Sequence, residues 1–356
     1  MTVIDVSLGA RSYPVMIGDG LLSSAGQLIR DRLGPCACAV VTDDRVGPLW
    51  LEPVMASLSA AGIRAVSVTL PHGEASKSLA SAARLYHFLA EQHITRADAL
   101  VALGGGVMGD LGGFAAATWL RGIRFVQLPT SLLAQVDSSV GGKVAVDLPE
   151  GKNLVGAFHQ PSLVLCDPSA LSTLPDEFWR DGMGEVVKTA AIRDAELFRL
   201  LEEAAPLGRE GLAARMYRIV PRCVRCKADI VSRDEKDTGE RIILNFGHTV
   251  GHAVEACQRY EGLHHGEAVA VGMSAITALS EARGLTAPGT LARLNALLDA
   301  LGLPRRLPPI PPEELLAAMR RDKKAAGSTL RVVLLREIGS CFTLETAPEA
   351  FFARMT

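Results

Sequence analysis

No stretch of this sequence approaches the roughly 20 consecutive apolar residues that a membrane-spanning helix needs, and its opening, MTVIDVSLGARSYPVMIGDG, lacks a basic segment followed by an apolar run. A cytoplasmic protein without membrane attachment is expected. An excess of charge of one sign is missing too. With 37 basic and 39 acidic residues the formal net charge is -2 and the pI near 6.5, which argues against nucleic-acid binding by broad phosphate neutralisation. Any anion must be met locally. The seven cysteines are odd in number and scattered, which fits reduced thiols rather than a disulfide framework. The pair Cys223 and Cys226 has no second pair nearby to complete a zinc site and is read as structural. Two signatures are also absent. There is no G-x-x-x-x-G-K-[ST] loop, which leaves an ATPase reading little support. Thr249 stands where H-E-x-x-H needs its glutamate, which disfavours a zinc protease.

What is present is enough for two cores. At 356 residues, 48% hydrophobic and 21% charged, the chain exceeds the size at which one core keeps growing. From residue 1 to 174, β-rich apolar runs (37–42, 65–70, 99–103, 124–128, 163–166) alternate with helix-like segments. That rhythm predicts an α/β domain with a parallel sheet. The first twenty residues read as an edge hairpin joined by Gly9 and Ala10. After Thr173-Leu174-Pro175 the pattern turns helical (176–192, 209–231, 247–260, 268–282) and predicts a mainly helical domain over 175–356. Residues 330–335 and 342–344 flank Gly339 as a small hairpin, and Pro304 to Pro312 reads as a surface connection.

Three clusters carry chemistry. The run ALVAL ends in Gly104-Gly105-Gly106-Val107-Met108-Gly109-Asp110, a glycine turn opening a helix, where backbone N–H groups and the helix dipole can cradle a phosphate. Its spacing matches G-x-G-x-x-G, yet no acidic residue follows about 20 positions later to bind a ribose, and a turn needed only for close packing is the alternative. Lys143 and Lys152 lie in segments rich in glycine, read as loops, where they offer point charges to a phosphate or carboxylate or are simply solvated. His248 and His252 stand at i and i+4, on one helix face, with His264, His265 and Glu185 available to complete a metal site; packing is the plainer alternative. Arg241 and Asn245 approach the same helix, suited to grip a carboxylate and orient a hydroxyl, or to cap a surface helix.

The segments GGGVMGDLGGFAAATWLRGIRF, QLPTSLLAQVDSSVGGKVAVDLPEGKNLVGAFHQP, GEVVK, LNFGHTVGHAVEA and HGEAVAVGM resemble the 3-dehydroquinate synthase family of the sugar-phosphate cyclases, over roughly residues 70 to 335. DSSVGGK followed by GKN points to the dehydroquinate branch. The resemblance implies a Rossmann-like NAD-binding α/β domain, a helical metal- and substrate-binding domain, an active site in the interdomain cleft, and a homodimer. It implies zinc, with cobalt as an alternative, on Glu185, His248 and His265, with His252 beside the site and His264 a bystander. NAD would meet Asp43, Glu74, Lys77, Gly104, Gly105, Gly106, Asp110, Thr130, Ser131, Lys152 and Thr173. Substrate would meet Asp137, Lys143, Asn153, Lys188, Lys227, Arg241, Asn245 and Lys323, with Arg121 reaching in from the partner subunit. The implied reaction converts 3-deoxy-D-arabino-heptulosonate 7-phosphate to 3-dehydroquinate and phosphate. It proceeds through transient oxidation by NAD, phosphate elimination, re-reduction, ring opening and aldol closure. Asp237 in place of the usual glutamate, Ser131 for threonine, Arg45 for asparagine, and Thr189-Ala190 after GEVVK depart from the family pattern. An NAD- and metal-dependent polyol dehydrogenase and a non-catalytic nucleotide-binding regulator are the competing readings.

Overall fold

The structure is a computed structural model that describes residues 1–321, 330–347 and 351–352. Two compact units partition the chain: Met1–Leu174 with Lys227–Lys236, and Pro175–Cys226 with Asp237–Thr356.

The first unit contains β1 (Thr2–Val6), β2 (Tyr13–Ile17), β3 (Cys38–Asp43), β4 (Ala65–Leu70), β5 (Ala99–Gly104), β6 (Arg124–Pro129), β7 (Lys143–Leu148), β8 (Gly151–Phe158) and β9 (Leu163–Cys166). Seven of these form one sheet in the order β1-β2-β9-β6-β5-β3-β4, parallel throughout except for the β1–β2 edge hairpin. Both faces are covered, which is why β3 and β5 are buried along their whole length and read as unbroken apolar runs. Cys38, Val40, Ala99 and Val101 point into a core closed by α1 (Ala25–Leu33) and α2 (Gly47–Ala60). Their neighbours Ala39, Val41, Leu100 and Ala102 point the other way, toward α3 (Leu79–Glu91) and α4 (Gly106–Thr118).

The segment read as glycine-rich loops around Lys143 and Lys152 is not loop. β7 and β8 pair antiparallel as a separate hairpin around a turn at Pro149 and Glu150, and Val144 and Val146 of β7 join the core beneath α4. The signal was the alternation in Lys143-Val144-Ala145-Val146-Asp147, which the flanking glycines masked.

The second unit is built from α5 (Asp176–Arg193), α6 (Ala195–Ala204), α7 (Gly208–Ala213), α8 (Met216–Arg233), α9 (His248–Cys257), α10 (His265–Glu281), α11 (Thr290–Ala300), α12 (Pro312–Arg321) and the hairpin of β10 (Leu330–Glu337) with β11 (Ser340–Thr346). The last residues of α8, from Lys227 on, group with the first unit. Besides α9 ending at Cys257 rather than at 260, two boundaries differ from expectation for a visible reason. The single helical segment at 209–231 is α7 and α8, because the chain tightens at Ala214 and Arg215, whose guanidinium takes the Gly211 carbonyl at 2.7 Å. α10 begins at His265 rather than 268 because carboxylates hold its first turn: Asp181 Oδ1 on α5 accepts the Gly266 N–H at 2.6 Å, and Glu267 Oε2 accepts that of the N-cap residue His264 at 3.1 Å. Among the described residues no helix is long and apolar enough to cross a membrane.

Candidate functional site

The C-terminal ends of β3 and β5 carry the first constellation. Gly104 ends β5 and Gly105 precedes the first turn of α4, whose early N–H groups have no intrahelical partner. A Cβ on Gly105 would stand 3.3 Å from Ser131 Oγ and one on Gly106 3.2 Å from Ser138 Oγ, so two hydroxyls line the concavity that the glycines keep open. Thr130 follows β6 and donates its N–H to the Gly104 carbonyl at 2.9 Å. The third glycine of the motif, Gly109, has a packing role, since its Cβ would lie 2.7 Å from Gln127 Oε1 of the neighbouring strand. An acidic residue upstream of the turn stands beside it. β3 neighbours β5, and β3 ends at Asp43, whose Oδ1 accepts the Arg45 and Val46 N–H groups while Oδ2 lies 3.6 Å from the Cβ position of Gly104. Thr173 closes the unit elsewhere, accepting from Trp50 Nε1 at 3.3 Å.

Beside this cradle the chain gathers a charged cluster. Lys77 is 5% exposed, with Nζ 3.0 Å from Glu74 Oε1, 3.2 Å from Asp110 Oδ2 and 3.7 Å from Asp147 Oδ1; Lys152 Nζ lies 3.7 Å from the same Glu74 oxygen. Four of these five were singled out in the sequence. Asp147 was missed. Burial opposes the charge on Lys77, yet Asp110, Glu74 and Asp147 hold it above its usual range. Burial also pushes Asp110 up from 3.8 to about 6, against the pull of Lys77. A carboxyl raised in the folded state contributes stability that is present below its unfolded pKa and lost as pH rises through its folded one. In unliganded protein, the unfolding free energy of the wild type relative to Asp110→Asn should therefore fall by about 2 kcal/mol as pH rises from about 4 to about 6.5, allowing for partial exposure. Urea titrations at the two pH values read this difference, and a pH-independent offset would refute the assignment.

The remaining marked residues of the first unit separate into three places. Lys227 Nζ donates to the Asp137 carbonyl at 2.8 Å and to its Oδ1 at 2.7 Å, on the turn Ala134–Ser138. Lys143 is exposed at the start of β7, and Asn153 is exposed on β8 with φ 58°. Arg121 is exposed after α4, where Leu120 (φ 50°) and Arg121 (φ 70°) are consecutive left-handed residues. That geometry is strained for side-chain-bearing residues and is held by Arg96 Nε on the Leu120 carbonyl at 3.1 Å.

The second unit holds the other constellation. α5, α9 and α10 meet at backbone range. A Cβ on Gly184 of α5 would stand 2.3 Å from the Gly266 carbonyl oxygen, and one on Gly272 of α10 2.0 Å from that of Gly247. Gly247, at φ 80°, is the left-handed residue that opens α9. Close approach gathers Glu185 of α5, His248 and His252 of α9, and His265 of α10. One ligating atom of each histidine lies within 4.8 Å of those of the other two, and Glu185 Oε1 is 3.5 Å from His248 Nε2 and 3.6 Å from His265 Nε2. Glu185 is 1% exposed and neither oxygen accepts a hydrogen bond, although Lys188 Nζ lies against Oε2. Burial raises this carboxyl, but Lys188 and His248 outweigh it and hold Glu185 ionised well below its ordinary value. Burial pushes the His248 imidazole well below its usual range.

His265 has a second carboxylate behind it. Its Nδ1 lies 3.4 Å from Glu255 Oε2, and burial notwithstanding, Glu185 and Glu255 raise its pKa to about 10. Glu255 was missed, yet at seven residues from His248 it shares the α9 face with both histidines. His264 caps α10 and packs on Phe178. Arg241 is 3% exposed on the short helix Glu240–Asn245, which removes the surface-capping alternative; Asn245 ends that helix half-buried. Lys323 lies outside the described residues.

A glycine cradle at the strand ends of a parallel sheet, with a helical unit presenting ionised carboxylate and imidazole to one point, has close counterparts among solved structures of sugar-phosphate cyclases. A 2-deoxy-scyllo-inosose synthase complexed with carbaglucose-6-phosphate, NAD+ and Co2+ is 25% identical with TM-score 0.89, covering 99% of each chain. A 2-epi-5-epi-valiolone synthase from Streptomyces hygroscopicus subsp. jinggangensis 5008, with NAD+ and Zn2+ bound, is 28% identical with TM-score 0.87, covering 96% of this chain and 95% of that one. Within that class the chain belongs to the 3-dehydroquinate synthase family. Residues 67–181 match the family's N-terminal part and residues 182–325 its C-terminal part. The 3-dehydroquinate synthase of Cereibacter sphaeroides (strain ATCC 17023) is 48% identical over 356 residues, covering 98% of this chain and 96% of that protein. A probable glycerol dehydrogenase from Sinorhizobium meliloti, 16% identical with TM-score 0.60, shares the fold alone, so the polyol-dehydrogenase alternative has only distant support.

Proposed function

We propose that this chain is a lyase that converts 3-deoxy-D-arabino-heptulosonate 7-phosphate to 3-dehydroquinate and phosphate, a step of the shikimate pathway to aromatic amino acids, with NAD and a divalent metal as cofactors. Family membership supports the reaction. The single observation in the structure that supports its chemistry is the buried Glu185 carboxylate, held ionised by Lys188 against Oε2 while Oε1 faces two imidazole nitrogens. An ionised buried carboxylate beside imidazole nitrogens is the ligand chemistry of zinc and of its neighbours in the first transition row, and metal binding would displace the proton that Glu185 and Glu255 hold on His265.

In this reading Glu185, His248 and His265 hold the metal, and Glu255 orients His265 through Nδ1 so that Nε2 is the ligating atom. When bound, the metal supplies Lewis-acid polarisation and NAD a reversible hydride transfer, so that net redox change is zero. The glycine turn Gly104, Gly105 and Gly106, with Thr130 and Ser131, cradles the pyrophosphate; serine keeps the hydroxyl of the more usual threonine. Asp43 is placed to bind a ribose hydroxyl, and its carboxylate would repel a 2′-phosphate, favouring NAD over NADP. Glu74, Lys77, Asp110 and Lys152 line the same end, and Thr173 is included on the family resemblance alone.

Lys143, Lys188, Lys227 and Lys323 offset the charge of the substrate's phosphate and carboxylate, and Arg241 grips the carboxylate in two-pronged fashion. Asp137 holds Lys227 in place, Asn153 and Asn245 orient hydroxyls, and His252 positions solvent for proton transfer. Asp237 sits at φ 58°, a left-handed conformation that aspartate tolerates better than glutamate, which gives its departure from the family pattern a local backbone reason.

A homodimer with Arg121 supplied to the partner's site is part of the proposal. Its support is the open edge of the two-stranded β7–β8 hairpin, on which Leu154 is 59% and Phe158 38% exposed, together with Leu120, 38% exposed beside Arg121. The cytoplasmic assignment rests on the cysteine pattern.

Inorganic phosphate release from 3-deoxy-D-arabino-heptulosonate 7-phosphate, with NAD well below stoichiometric, tests the reading. Many turnovers per NAD are expected, abolished by chelation and restored by Zn2+ or Co2+. A metal-loaded protein that released no phosphate, and instead accumulated NADH on a polyol, would replace this reading with the dehydrogenase one.

A further inference from the structure

The β7–β8 hairpin breaks register between Val146 and Leu148, and the residue at the break is Asp147. Besides a carboxyl–carboxyl contact with Glu74, Asp147 makes three ties. Its N–H donates to the Lys77 carbonyl at 2.8 Å, beside an isolated bridge from Ser78 to Asp147 that joins the hairpin to the segment leading into α3. Its Oδ1 accepts the Asn153 N–H at 2.8 Å, across the turn. The same oxygen lies 3.7 Å from Lys77 Nζ. The distances rank these ties, since Lys77 already has Glu74 at 3.0 Å and Asp110 at 3.2 Å, whereas the 2.8 Å bond to Asn153 is of full strength. The bond pins Asn153 in a left-handed conformation, φ 58°, that asparagine adopts more readily than most residues.

We propose that Asp147 is a positioning residue for the cofactor and substrate contacts of this hairpin. By accepting the Asn153 N–H it fixes the irregular register and the left-handed turn residue, and so sets the directions in which Lys152 and Asn153 leave β8. Bulges beside functional sites re-aim side chains in this way. Lys152 then stays within 3.7 Å of Glu74 at the end of the phosphate cradle. A one-residue slip at this point would turn both side chains to the opposite face of the hairpin. The inference rests on the proposed roles of Lys152 toward NAD and Asn153 toward substrate.

The test compares wild type, Asp147→Asn and Asp147→Ala as full-length, metal-loaded proteins, by calorimetric titration with NAD and by phosphate release at saturating NAD. Asparagine keeps an acceptor of the same reach and removes the charge; alanine removes both. Alanine should weaken NAD binding by about tenfold and lower kcat by a similar factor, while asparagine restores both to within about threefold of wild type. Asp147→Ser, whose hydroxyl is too short to replace the bond, gives the same reading should alanine fold poorly. Alanine binding NAD and turning over like wild type overturns the inference. So does asparagine failing as badly as alanine, since the role would then be charge balance for Lys77. Wild type that binds no NAD at all overturns the cofactor reading beneath it, and is distinguishable for that reason.

Discussion

Glu185→Gln should cost on the order of 10³-fold in turnover and leave the purified protein without stoichiometric metal. The substitution preserves shape and removes the carboxylate whose Oε1 faces both His248 Nε2 and His265 Nε2. A neutral amide is a poor ligand for zinc, and with a three-residue ligand set the loss of one leaves two imidazoles. Polarisation of a substrate oxygen by the metal supplies several kcal/mol of transition-state stabilisation, and about 4 kcal/mol corresponds to the stated factor. A second readout is independent of catalysis. Lys188 is 1% exposed beside Glu185, so the metal-free variant carries a buried ammonium that has lost its carboxylate. Breaking one side of a buried pair costs about 3–5 kcal/mol, and the amide oxygen recovers part of that. Elemental analysis, phosphate release and urea unfolding of the apo-protein measure the three effects. Retention of one metal per chain by Glu185→Gln would remove Glu185 from the ligand set.

Gly266→Ala should be nearly as damaging although it replaces none of the proposed ligands. The added methyl would stand 1.9 Å from the Asp181 carbonyl oxygen, which belongs to backbone and cannot rotate away. α10 must move from α5, and with it goes the bond from the Gly266 N–H to Asp181 Oδ1 that starts the helix. Overpacking of this kind costs about 3 kcal/mol or more. Because His265 is the first residue of α10, displacement of its helix also separates His265 from Glu185. Unfolding by urea and competition for zinc with a chromophoric chelator should therefore both report a loss. A stable variant with unchanged zinc affinity would mean that the close helix contact does not place the ligands.

The fold was largely legible because covered parallel strands are short apolar runs separated by helix-length segments. Strand order was not legible. The absence of an acid after the glycine turn counted against a dinucleotide site, yet the relevant neighbour of β5 is β3, earlier in the chain, and Asp43 ends it. Sequence spacing carries no information on which strand will lie beside which. The hairpin around Lys152 was obscured by the glycines that flank it, and with it Asp147, whose three ties all involve backbone or residues distant in sequence. His248 and His252 announced themselves by spacing. Glu255 followed the same spacing one turn further and was overlooked because a lone glutamate in a helix is usually solvated. Here it is 5% exposed.

The contact between α5, α9 and α10 has a further consequence for how this protein can vary. Where helices are spaced by side chains, a volume change at one position is absorbed by a neighbour, and whatever the helices carry drifts with it. Here main chain rests on main chain at Gly184, Gly266, Gly247 and Gly272, so the separation of Glu185, His248 and His265 is inherited from the dimensions of the peptide backbone. Divergence in the surrounding core has little leverage on that separation. The arrangement is most vulnerable at the positions that have no side chain.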